Sequence, residues 1–67
     1  MGKTFITIWN IIFNVHHITQ IIKFERNNMP GIRIYTLADA MPNEKLYSTI
    51  ERRDTEFINL LQMLSKY

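Results

Sequence analysis

The chain has 67 residues, a formal net charge of +2, no cysteine, two glycines and 46% hydrophobic residues, among them eleven isoleucines and one tryptophan. That composition excludes a disulfide framework, a thiolate metal site, a glycine-rich phosphate loop and a second domain, leaving one small α+β domain over residues 1–67. A chain of this size buries roughly 60% of its extended surface, so its own core leaves it marginal, and a homodimer or a protein partner is the expected source of further burial.

The opening MGKTFITIWNIIF places a lysine before apolar residues, as a signal peptide would. Asn10, Asn14, His16, His17 and Gln20 interrupt it too often for an uninterrupted h-region or for a membrane span of about 20 apolar residues. Thr4 to Val15 reads instead as strand, with Ile6 and Ile8 on one face and Phe5, Thr7 and Trp9 on the other. Asn10 marks a turn or a bulge, because a straight strand of twelve residues is long for so small a domain. No membrane contact is expected, and the lack of cysteine is compatible with a reducing cytoplasm, the location expected for it.

The next segment predicts an antiparallel hairpin. Ile18 to Glu25 is a strand, Arg26 to Gly31 a loop and Ile32 to Leu37 the returning strand. Pro30-Gly31 suits a type II turn, since proline presets φ and glycine accepts the positive φ that follows. Ile18, Ile22 and Phe24 share one parity and Ile21, Lys23 and Glu25 the other, while Ile32 and Ile34 alternate with Arg33 and Tyr35. One face is thus apolar and the other mixed.

Ala38 to Asn43 is a second connection, and Lys45 to Ile50 a short strand. A competing reading starts a helix at Ser48, where Ser48-Thr49-Ile50-Glu51 has capping-box spacing. Phe57, Leu60, Leu61 and Leu64 recur at i, i+3, i+4 and i+7 and predict a helix over Thr55 to Ser65, with Asp54 as N-cap. The fold class is α+β: a small, mostly antiparallel sheet of three to five strands with one C-terminal helix on one face.

Few residues point to chemistry. Adjacent His16 and His17 face opposite ways on a strand and cannot share an ion, and no ligand spacing accompanies them, so no metal and no cofactor are expected. Nothing pairs the six acids for general acid–base work, and so short a chain lacks depth for a substrate pocket; no catalytic residue and no small-molecule substrate are expected. Arg52-Arg53 with Lys23 and Arg33 could contact phosphates, and Tyr35 or Trp9 beside an arginine could stack bases. Against that, Glu51, Asp54 and Glu56 bracket the arginine pair, and Arg52 and Glu56 have the i, i+4 spacing of a helix-surface ion pair.

Trp9, Phe13 and Tyr35 are the aromatic residues expected to anchor a protein interface, with Arg33 and Arg26 orienting the partner. Met29 and Met41, each directly before a proline, suit adaptable contacts or lids over the core. The function expected is a small non-enzymatic protein-protein interaction module, a regulator or inhibitor. The alternatives are a nucleic-acid-binding regulator using Arg33, Arg52 and Arg53, and a structural subunit of a larger complex. The order Asn14, Ile18, Ile21, hairpin, Tyr47 and an apolar helix near Glu56-Phe57-Ile58 resembles the small flagellar regulatory family called FlbD over much of residues 14–64. The glycine-containing turn of that family is missing from Ala38 to Asn43, and no function is carried over.

Overall fold

Two pairs of residues with left-handed backbone set where this chain reverses. The computed structural model describes residues 4–67. Trp9 and Asn10 have φ of 53° and 62°, and Asn27 and Asn28 have φ of 52° and 66°. Two consecutive positive φ values make the hairpin turn whose twist matches the strands on either side. The first turn joins β1 (Phe5–Ile8) to β2 (Ile11–Asn14), and the second joins β3 (Ile18–Arg26) to β4 (Met29–Thr36).

Four expectations change here. Trp9 is a turn residue rather than a strand residue, so its side chain does not continue the Phe5–Thr7 face. Pro30 and Gly31 lie inside β4, paired with Glu25 and Phe24, and the reversal falls to Asn27-Asn28. Proline is tolerated there because the Pro30 backbone points away from β3: its carbonyl accepts the Tyr47 N–H at 2.8 Å. The strand over Lys45 to Ile50 lies earlier, as β5 (Asn43–Leu46), and the helix begins well before Thr55, as α1 (Ile50–Leu64).

Thr49, not Asp54, caps α1, its hydroxyl accepting the Arg52 N–H at 3.1 Å. The competing start at Ser48 was therefore nearer, displaced by one residue. Between β2 and β3 a single 3-10 turn over Val15–His17 is held by the Asn14 Oδ1, which accepts from the His16 N–H at 2.9 Å.

The fold is α+β: a two-stranded antiparallel sheet, β1-β2, and a three-stranded antiparallel sheet in the order β3-β4-β5, with the C-terminal helix packed against them. Register decides which parity is core. Ile21 opposes Ile34 and Lys23 opposes Ile32, so these share one face; Ile22 opposes Arg33 and Phe24 opposes Gly31 on the other. Ile32 and Ile34 are fully buried and cluster with Ile6, Ile8, Phe13 and Leu60, so the β1-β2 hairpin and α1 cover the same side of the three-stranded sheet. No element among the described residues covers its second side.

The core is small. Six apolar residues are buried among the described residues, whereas eleven large apolar side chains, including Phe5, Ile12, Leu37 and Met41, are exposed. The radius of gyration is 12.1 Å, against about 10.9 Å for a compact chain of this length. More apolar surface lies outside than the fold itself can use.

Candidate interaction face

On the bare side of the sheet the side chains form one connected cluster. Gly31 leaves a gap opposite Phe24, and the ring fills it: a Cβ at residue 31 would lie 2.6 Å from Phe24 Cε1 and 2.7 Å from Cζ. The flattened ring then carries two guanidinium groups, Arg33 at 4.4 Å from its centroid and Arg26 at 5.3 Å. Cation–π attraction favours this stacking, and arginine does it better than lysine because its planar head is weakly hydrated.

Both arginines are turned by one carboxylate. Glu44, on β5 directly opposite Arg33, accepts from Arg33 Nε at 2.6 Å and pairs with Arg26 NH1 at 2.7 Å. Arg33 NH1 also donates to the Tyr35 hydroxyl at 3.3 Å. The Arg26 hydrogen bond holds the Glu44 carboxyl below its ordinary value, burial opposes it, and the Arg33 hydrogen bond adds a lesser lowering. Tyr35 and Glu44 in turn raise Arg33 above its own. Opposed charges across neighbouring strands thus hold Arg26 and Arg33 over the Phe24 ring beside Tyr35, and the two guanidinium groups with one carboxylate leave this face with a net positive charge.

The expected interface residues divide. Arg26, Arg33 and Tyr35 are brought together here. Trp9 is not with them: it packs half-buried against the core, and its indole N–H donates to the Tyr47 hydroxyl at 3.0 Å. Burial pushes the Tyr47 phenol up, an effect the indole N–H partly offsets. Phe13, 4% exposed, is spent on the core opposite Ile6 and offers no surface to a partner of the folded monomer.

Among the expected cations, Lys23, Arg33, Arg52 and Arg53 form no single patch. Arg33 is on the bare face. Lys23 lies on the helix side, 3.3 Å from Asp54 and 5.1 Å from the Phe57 centroid. Arg53 is the one buried charged residue among the described residues; its Nε meets Asp54 Oδ1 at 2.7 Å and its NH1 donates to the Phe24 carbonyl at 3.3 Å. Arg53 and then Lys23 hold Asp54 below the ordinary carboxylate value. Arg52 forms no ion pair with Glu56 or any other described carboxylate. It lines an open groove of about 540 Å³ between β5 and α1 together with Lys45, Tyr47, Glu51 and Glu56, where both signs of charge are present.

Phe24, Gly31 and Glu44 belong to the cluster and were not among the expected site residues. A glycine inside a strand pattern, opposite an aromatic residue, was the available signal, and the turn reading of Pro30-Gly31 hid it. His16 and His17 are both exposed. Among the described residues no group of three metal-ligating side chains converges, and no helix is long and apolar enough to cross a membrane. No family model, no curated protein and no solved structure matches the chain.

Proposed function

We propose that the chain is a non-enzymatic protein-protein interaction module, a regulator or inhibitor, which binds its partner through the bare face of the β3-β4-β5 sheet. One observation carries this reading: Glu44 pairs with both Arg26 and Arg33, and Arg33 in turn meets the Phe24 ring and the Tyr35 hydroxyl, so the cluster is ordered before any partner arrives. Tyrosine and arginine are enriched among residues that dominate binding energy, and a preordered side chain loses less entropy when it is covered. The half-buried Ile22 and the exposed Leu46 and Met29 extend the same face with apolar surface.

The nucleic-acid reading draws less support. Three of its four cations are already paired with Asp54 or Glu44, and a phosphate would have to compete with a carboxylate at each.

The test is capture of partners by tagged full-length chain, with nuclease added to half of each sample, alongside the Arg26→Ala/Tyr35→Ala double variant. Circular dichroism first establishes that the variant is folded. A protein retained after nuclease by the parent and lost by the variant is the expected result. Loss of all captured material on nuclease treatment, or equal capture by the folded variant, overturns the proposal.

A further inference from the structure

The longest open strand edge in the molecule is β3. It runs for nine residues, Ile18 to Arg26, whereas β1, β2 and β5 have four each. Among the described residues its only sheet neighbour is β4. Proteins blunt such edges with proline, with inward charges, with short strands or by covering them, because a row of unpaired N–H and C=O groups is a template for another strand. β3 contains no proline, its inward Lys23 is neutralised by Asp54 at 3.3 Å, and its one register irregularity is confined to the Ile18/Gln20 end.

The backbone pattern says which groups are free. Arg26 and Met29 flank the two-residue turn and exchange hydrogen bonds, so alternate residues Phe24 and Ile22 also face β4. Ile21, Lys23 and Glu25 then direct their N–H and C=O groups to the open edge.

Beside that edge lies an apolar stripe on α1. Ile50, Asp54, Ile58 and Leu61 follow one another at helical spacing, and Asp54 meets Lys23, so the stripe overlooks β3. Ile50, Ile58 and Leu61 are 53%, 53% and 47% exposed.

We propose that a second copy of this chain occupies the β3 edge, antiparallel, with a two-fold axis through Ile22, so that two three-stranded sheets become one of six strands. Charge selects that register. Ile22 faces its own counterpart, Lys23 faces Ile21 and Phe24 faces Gln20, so no like charges are opposed across the regular part of the strand, and Glu25 and Arg26 come against the irregular Ile18–Thr19 end, which carries no charge. A two-residue slip towards the turn sets Lys23 against Lys23, which is destabilising; the opposite slip leaves Glu25 and Arg26 without partners. In the centred register the two Lys23 are diagonal neighbours, each already held by its own Asp54, so the charges alternate around the axis. Strand spacing of about 4.8 Å puts the two β4 strands about 14 Å apart, wider than the roughly 8–10 Å of packed helices, so Ile58 and Leu61 on the β3 side of each helix extend into the gap between the two copies.

This association uses the strand edge and not the arginine face, so it stands or falls separately from the partner reading above. The experiment is sedimentation of the purified full chain over a concentration series up to about 100 µM, with single-cysteine variants in a chain that has no other cysteine. Ile22→Cys faces itself across a pair with Cα atoms about 4.5 Å apart, within disulfide range, and is expected to cross-link at least about tenfold faster than Leu46→Cys on the β5 edge. The parent is expected to be dimeric, Ile58→Glu to shift it towards monomer, and Tyr35→Ala, on β4 and outside the paired edge, to remain dimeric. A monomeric parent, a dimer cross-linked as fast at residue 46, or a dimer lost with Tyr35 alone would overturn the edge assignment.

Discussion

Gly31→Ala gives the sharpest test of how the bare face is built. The added Cβ would sit 2.6 Å and 2.7 Å from two Phe24 ring carbons and 3.0 Å from the Lys45 carbonyl oxygen. Carbon atoms pack at about 3.5–4.0 Å, so the ring has to retreat by about 1 Å. Overpacking of this kind costs about 1–3 kcal/mol. At about 4–8 °C per kcal/mol for a domain of this size, the melting temperature should fall by roughly 5–20 °C, and the Arg33 stack on the ring should loosen with it. Urea and thermal unfolding, followed by far-ultraviolet circular dichroism and Trp9 fluorescence, measure the loss. The decisive arm is a double-mutant cycle with Phe24→Ala, which removes the ring. In that background Gly31→Ala should be nearly neutral or slightly stabilising, because alanine restricts the unfolded chain more than glycine, and the coupling should exceed about 1 kcal/mol. If Gly31→Ala costs the same in both backgrounds, the obstacle is the Lys45 carbonyl and the account of the Phe24 seat is wrong.

Tyr47→Phe leaves the Trp9 indole N–H without its acceptor and should cost about 0.5–1.5 kcal/mol, with a change in the emission of the single tryptophan; unchanged emission and stability would mean the bond contributes nothing. Asn28→Gly puts the residue with least penalty at a φ of 66° and should raise stability by up to about 1 kcal/mol in urea melts, whereas a loss would show that the Asn28 side chain is needed in the turn. The folded-state pKa values of Glu44 and Asp54 lie below their unfolded values, so the stability they add is present above about pH 4–5 and is lost as pH falls through the depressed values. Melting points should therefore be level from about pH 7 to 5 and drop below about 4, and Glu44→Gln with Asp54→Asn should flatten that drop.

The cores of the strands, the hairpin between residues 18 and 37, and the apolar spacing of Phe57, Leu60 and Leu64 were legible because burial imposes a period of two on strands and of 3.6 on helices. Alternation states which residues of one strand share a face but not which parity of its neighbour joins them. That choice rests on turn length: a two-residue reversal at Asn27-Asn28 pairs Phe24 with Gly31, whereas a reversal at Pro30-Gly31 would have moved every pair. Left-handed backbone at Trp9 was equally invisible, since a bulky aromatic residue is a poor turn former, and only contacts with the core and with Tyr47 hold it there. The helix start followed the same logic. Ser48, Thr49 and Asp54 are all competent caps, and the geometry that carries β5 into the helix selects Thr49. Periodicity and composition together determined a small α+β fold with more apolar side chains than it could bury. Tertiary register alone decided that Phe24, Arg26, Arg33, Tyr35 and Glu44 meet on one face, because residues on three different strands become neighbours only through pairing that no single strand encodes.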